Sequence, residues 1–149
     1  MSIFSSFNIN ASGMTAQRYR MDIISENVAN ANTTRTEDGT PYRRKVVTFE
    51  ERGTSAGTSF RHIMNSASKR YDGQGVRVGK VTEDNWTEMT KAYDPSHPDA
   101  DENGYVTYPN VNIVTEMTNL IDASRSYEAN ATAFTASKNI AVKGLEMSQ

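Results

Sequence analysis

Apolar residues recur at seven-residue spacing from Phe7 through Met14 and Met21 to Val28, joined by Ala11 and Ile24 and interrupted at Gln17. That spacing predicts a long helix from about residue 4 to about residue 30, roughly 40 Å at 1.5 Å per residue. It should stop in the polar stretch that follows, where Asn30 or Asn32 can take a left-handed cap. A second line, Ile9, Ala16 and Ile23, is also spaced by seven and falls roughly opposite the first, with Tyr19 nearby.

The other end of the chain repeats the pattern more strictly. Ile113, Met117, Leu120, Ser124, Tyr127, Ala131, Phe134, Lys138, Ala141 and Leu145 alternate steps of four and three, broken only by Ser124 and Lys138. Pro109 and Asn110 precede this helix, Asn112 is its expected N-cap, and Glu116 in the first turn suits the positive end of the helix dipole.

Between the helices the texture changes to short alternating runs rich in β-branched residues, residues 44–50 and 75–82, which predict strands. Asp38-Gly39, Asp72-Gly73, Asp94-Pro95 and Asn103-Gly104 predict turns, and residues 53–59 a mobile loop. The expected fold class is therefore α+β. Residues 1–34 and 109–149 supply the helices of one coiled-coil-like domain, and residues 35–108 form a small β-rich insert.

Charge sharpens this picture. Residues 1–34 hold four Asp, Glu, Lys or Arg, residues 35–110 hold twenty-three, and residues 111–149 hold seven. A surface helix of an ordinary globule sets its apolar stripe against a strongly charged face. These helices instead carry Ser, Thr, Asn and Ala there, so more of their surface should be covered than one partner helix can cover. The expected seam sets Phe7, Met14, Met21, Ile24 and Val28 against Met117, Leu120, Tyr127, Phe134 and Leu145, with Ile9 and Ile23 reaching neighbouring subunits. Both ends are expected to be frayed in a free monomer and to order on assembly. Unlike surfaces joined repeatedly give a ring if the rotation closes and a helical shaft if it does not.

The net charge of −2 gives no footprint for a polyanion, so nucleic acid is not an expected partner. Without cysteine there is neither a disulfide nor a thiolate metal site. The first residues lack the basic and apolar regions of a cleaved secretory signal, and no apolar run approaches the length of a membrane span.

Local chemistry is sparse. Asp99, Asp101, Asn103 and Gly104 match the first half of a calcium-binding EF-hand loop, but the twelfth position is Asn110 instead of Glu, and Pro95 and Pro98 bar an entering helix. An acidic turn is the better reading. His97 beside Asp94, Asp99 and Asp101 lacks the further ligands of a metal or general-base site, and His62 falls in an expected loop. Gly73, Gly75 and Gly79 miss the dinucleotide spacing and read as a strand-opening turn. Arg43, Arg44 and Lys45 read as a solvated strand end. Trp86, Tyr93, Tyr105 and Tyr108 suit the insert or a subunit contact. No cofactor, metal or catalytic residue is expected.

Residues 25–33, Ser-Glu-Asn-Val-Ala-Asn-Ala-Asn-Thr, resemble the element that closes the N-terminal helix in flagellar rod and hook proteins. Residues 38–47, 93–98, 104–111, Glu116-Met117 and residues 123–130 narrow the resemblance to the proximal members of the flagellar basal-body rod family. The matching positions include Asn27, Ala29, Asn30, Asn32, Pro109, Asn110, Glu116, Met117, Arg125, Tyr127 and Asn130; Asn112 stands where that family usually has Asp, and residues 51–72 depart from its pattern. The resemblance implies a structural, non-enzymatic drive-shaft subunit in the periplasmic rod, delivered uncleaved by the flagellar type III export apparatus. Its implied partners are copies of itself, other rod proteins, the rod adaptor and the membrane-embedded MS ring. A sister rod or hook protein is the alternative within the family, and a small calcium-binding module the alternative outside it.

Overall fold

The computed structural model describes residues 3–52, 64 and 74–147. Its elements are a helix α1 (Ile3–Ala29), strands β1 (Lys45–Glu51), β2 (Val76–Glu83), β3 (Thr90–Tyr93) and β4 (Tyr105–Tyr108), and a helix α2 (Ile113–Glu146). The fold is α+β: two long terminal helices and two separate antiparallel strand pairs, β1 with β2 and β3 with β4. The expected loop at residues 53–59, His62 and the turn at Asp72-Gly73 lie outside the described residues.

The helix ends follow from local chemistry. Asn112, in extended conformation, accepts the Thr115 N–H at 3.2 Å and caps α2. At the end of α1 the Asn30 side chain donates back to the Glu26 carbonyl at 3.0 Å and accepts from the Thr33 hydroxyl at 3.1 Å. Asn30 thereby partners one of the last carbonyls as the chain leaves the helix.

The helices run antiparallel. Asn27 bonds to Glu116 near one end, Gly13 abuts Asn130 midway, and the Phe7 and Phe134 rings lie 5.0 Å apart further along. Because α2 has 34 residues and α1 has 27, the last turns of α2 continue past the level of Ile3.

The β1–β2 pair covers a further side of α1. Its register shifts between Thr48 and Phe49, so that Thr48 faces Lys80 while Phe49 faces Val78. The extra residue is Gly79, where a Cβ would come within 2.6 Å of the Glu50 side chain. The hairpin is pinned to α1 at Gly75 and Ser12: the Val76 N–H donates to Ser12 Oγ at 3.0 Å, and Ser12 Oγ donates to the Ile9 carbonyl at 2.7 Å. Gly75 adopts φ +92°, and a Cβ there would stand 2.1 Å from Ser12 Oγ. Only glycine meets both demands.

The strands of the second pair are not among those that alternation predicts. Tyr93 faces Tyr105 across it with ring centroids 5.3 Å apart, and its connection contains the acidic turn. Among the described residues the buried hydrophobic side chains are Ala16, Ile24, Ala31, Tyr42, Val106 and Ala123. Half of these are alanines, so the hydrophobic core holding the chain to itself is thin.

Candidate functional site

The best-defined chemistry in the molecule is a polar cluster where the end of α1, the start of α2 and the open end of the β1–β2 hairpin meet. Asn27 and Glu116 are each 1% exposed. The Asn27 amide makes four hydrogen bonds: it donates to the Lys45 carbonyl at 2.9 Å and to Glu116 Oε2 at 3.1 Å, and its oxygen accepts the Lys45 N–H and the Tyr42 hydroxyl, both at 2.9 Å. Every donor and acceptor of the side chain is thereby used. Toward Lys45 the amide acts as a strand backbone would, so α1 is bonded directly to the first residue of β1.

Glu116 divides its two oxygens. Oε2 takes Asn27, while Oε1 accepts Arg44 Nε at 2.8 Å and Arg44 Nη2 at 2.7 Å. Arg44 continues to Asp84 Oδ2 at 3.5 Å. Asn110 accepts the Arg44 N–H at 2.9 Å and donates to the carbonyls of Asp84 at 2.8 Å and Thr87 at 3.2 Å. A carboxylate with this little exposure is tolerated because each oxygen is paired. Arg44 is therefore no solvated strand end, and Lys45 beside it pairs with Glu26.

Electrostatics within the cluster follow its geometry. The Thr87 hydroxyl and N–H, ahead of the Trp86 N–H and the charge of Arg44, hold the Asp84 carboxyl below its ordinary range. Burial, with the negative charges of Glu26, Glu116 and Glu83, pushes the Tyr42 phenol up to about 12.

The helix–helix seam is displaced from the expected one on α2. Ile24 is buried, and Phe7, Met14, Met21, Val28, Leu120, Tyr127 and Phe134 are half-buried. Met117, 55% exposed, stands about 100° around α2 from Glu116 and so off its covered side, whereas Leu145, 70% exposed, follows the line of Phe134 and Ala141 but lies where α2 continues past the level of Ile3. The line turned inward runs through Glu116, Leu120, Ala123, Tyr127, Asn130, Phe134, Ser137 and Ala141. It shares Leu120, Tyr127, Phe134 and Ala141 with the expected heptad line and elsewhere sits beside it. The physical reason is that Glu116 finds its partners in Asn27 and Arg44. Asn130 in turn fits against Gly13, where a Cβ would come within 2.7 Å of its side-chain oxygen.

The second line on α1 also differs from expectation. Ile23 lines a depression with Ile24, Lys45, Val46, Val47 and Phe49, and Ile9 lies under Gly75. The hairpin of the same chain meets part of that line, so it does not by itself demand a neighbouring subunit.

The acidic turn is occupied by its own bonds. Asp99 accepts from Thr34 at 2.8 Å and faces Arg35, while Asp101 accepts the N–H groups of Asn103 and Tyr105. His97 Nδ1 accepts the Asp99 N–H at 3.1 Å, and the hydroxyl and N–H of Ser96 lower the Asp94 pKa. Among the described residues no group of three His, Cys, Asp or Glu is placed to hold a metal, and no helix is long and apolar enough to cross a membrane.

The family positions Asn27, Asn110 and Glu116 thus converge on one cluster, Asn30 closes α1, and Tyr127 and Asn130 lie on the helix seam. Sequence reasoning misread Arg44 and missed Asp84 and Tyr42, which meet Glu116, Arg44 and Asn27 from 15 or more residues away; it gave no weight to Ser12 and Gly13, and took Gly75 only as part of a strand-opening turn.

Residues 7–35 match the family model described as flagella basal body rod protein, and residues 102–147 match that described as flagellar basal body rod FlgEFG protein C-terminal. The chain is 45% identical to the flagellar basal-body rod protein FlgC of Bacillus subtilis strain 168, over 99% of both chains. It is 44% identical to that of Borreliella burgdorferi, over 94% of this chain and 93% of the relative, and 36% identical to that of Salmonella typhimurium over the full length of both. A buried polar junction between two charge-poor terminal helices, with relatives of one description along the whole chain, places this chain in the FlgC family of flagellar basal-body rod proteins, as a structural subunit of that rod.

Proposed function

We propose that residues 1–34 and 109–149 form the rod-core domain, that the faces of α1 and α2 left open within the chain are its assembly surface, and that residues 35–108 contact adjacent subunits. The observation that carries this reading is the exposed apolar surface of α2. Ile113, Val114, Met117 and Ile121 lie open at its start, and Ile140, Val142, Leu145 and Met147 at its end, at exposures of 43% to 88%. Such surface at both ends of a helix roughly 50 Å long calls for cover from other subunits. The role is mechanical and non-catalytic: the polar junction fixes the hairpin to the helix pair, so that torque passes through a rigid body.

The neighbours of this reading are copies of the chain, other rod proteins, the rod adaptor and the MS ring, reached in the periplasm after delivery by the flagellar export apparatus. Met117 and Leu145 contact those neighbours, while Phe7, Met14, Met21, Ile24, Val28, Leu120, Tyr127 and Phe134 hold the helix pair together.

Site-directed cross-linking tests it cleanly, because the chain has no cysteine of its own. Single cysteines at Met117, Leu145 and, on the insert, Gly39 are introduced into cells lacking the resident rod subunit, and basal bodies are isolated. Cross-links to rod proteins from the two helix positions support the reading. Incorporated chain that cross-links only from Gly39 would reject the helix faces as the assembly surface.

A further inference from the structure

Trp86 is the chain's single tryptophan and is 85% exposed. Its turn is held firmly. Asp84 Oδ1 accepts the N–H groups of Trp86 and Thr87, each at 3.1 Å, and Asp84 Oδ2 accepts the Thr87 hydroxyl at 2.8 Å. Asn110 bonds the Thr87 carbonyl, tying the turn to the buried junction. A large aromatic side chain on a turn ordered in advance loses little entropy on docking, which is the property of an interface anchor.

The same chain carries a receptor for such a group. A cleft of about 420 Å³ lies along α1 and is lined by Ala11, Met14, Arg18, Tyr19, Asp22 and Tyr127. Met14, Tyr19 and Tyr127 offer soft and aromatic surface, Arg18 a cation for the indole face, and Asp22 an acceptor for the indole N–H. Charge agrees as well: Glu88, exposed two residues beyond Trp86, complements Arg18, exposed on the cleft. The chain's own indole is not among the residues that line it. Tyr127 lies three turns along α2 from Glu116, roughly 16 Å from the junction that holds the Trp86 turn.

We propose that Trp86 of one copy docks into the Met14–Tyr19–Tyr127 cleft of a second copy, with Glu88 beside Arg18. The inference rests on the rod-subunit reading above and names one of its contacts. Anchor and receptor are different surfaces of one chain, so the contact is head-to-tail and repeats into an open helical array instead of closing a two-fold dimer.

The test uses the full chain. Its only indole reports directly, through emission and acrylamide quenching measured as concentration rises, with sedimentation as the second readout. The expected result is an indole that becomes apolar in environment and shielded from quencher as the chain associates. Trp86→Ala should weaken association about tenfold or more with its circular dichroism unchanged. Arg18→Glu and Glu88→Arg should each weaken it severalfold, and the double variant should restore it. An indole open to quencher across the whole range overturns the proposal, as does shielding that appears only on adding a different rod protein, or a double variant no better than its parents. Normal incorporation of Trp86→Ala into basal bodies, together with no self-association of the wild type, rejects this anchor and leaves the rod-subunit reading standing.

Discussion

Asn27 and Glu116, 89 residues apart, meet at 3.1 Å in almost complete exclusion from solvent. This one bond joins the last turn of α1 to the first turn of α2, and the same two side chains hold the beginning of β1 through Lys45 and Arg44. A helix pair and a hairpin that share few buried apolar side chains are thus aligned by directional polar bonds, which allow one relative placement where apolar contacts would allow several.

Glu116→Ala removes the acceptor of Arg44 Nε and Nη2, leaving that guanidinium only Asp84, and leaves one donor of the Asn27 amide unpaired. It should destabilise the chain by about 2 to 4 kcal/mol, the lower part of that span reflecting the partial exposure of Arg44. Urea unfolding followed by circular dichroism measures this. Glu116→Gln keeps the shape and should cost less; equal losses for the two would mean that the charge carries the whole contribution and the retained shape none.

Glycine replacements should rank by contact. Gly75→Ala meets both the φ of +92° and the Ser12 hydroxyl at 2.1 Å, whereas Gly39→Ala meets a φ of +75° and open space. Gly39→Ala should cost about 1 to 2 kcal/mol and Gly75→Ala distinctly more. A smaller loss at Gly75 in thermal unfolding would contradict the pin between β2 and α1.

Acid and alkali should act on different members of the junction. The folded Asp84 carboxyl sits below its ordinary value of 3.8, so its contribution is complete above that value and is lost as pH falls through it toward the lower folded value. Asp84→Asn should flatten the acid limb of the stability profile. The Tyr42 phenol is raised from 10.0 to about 12, so its contribution is complete below pH 10 and is lost as pH rises toward 12. Tyr42→Phe should remove that part of the alkaline limb, and identical limbs in both variants and wild type would refute these assignments.

Order along the helix pair should be graded. Residues 12–29 of α1 are tied by Asn27 at the junction and by Gly13 and Ser12 midway along, whereas residues 3–11 of α1 and 135–146 of α2 depend on Phe7 against Phe134 and on few other buried side chains. Hydrogen exchange on dilute chain should protect residues 12–29 more than residues 3–11, with the difference shrinking in assembled rods. Uniform protection in the dilute chain would reject the coupling of end folding to assembly.

Much of this was legible from local pattern. Heptad spacing located both helices, Asn112 announced the start of α2, alternating β-branched residues placed β1 and β2 within a residue or so, and Asn103-Gly104 marked the turn before β4, where Gly104 takes φ +79°. The β3–β4 pair left no such mark, because four-residue strands carry too short a period to register.

The two helices, their poverty of charge and the position of the hairpin are all written in neighbours a few residues apart, and so could be read from local pattern. Which face of α2 turns inward was settled by contacts between distant segments. Adjacent helical positions differ by about 100°, and apolar Met117 lost that place to charged Glu116 because Asn27 and Arg44, supplied from distant segments, make burying the carboxylate the lower-energy arrangement.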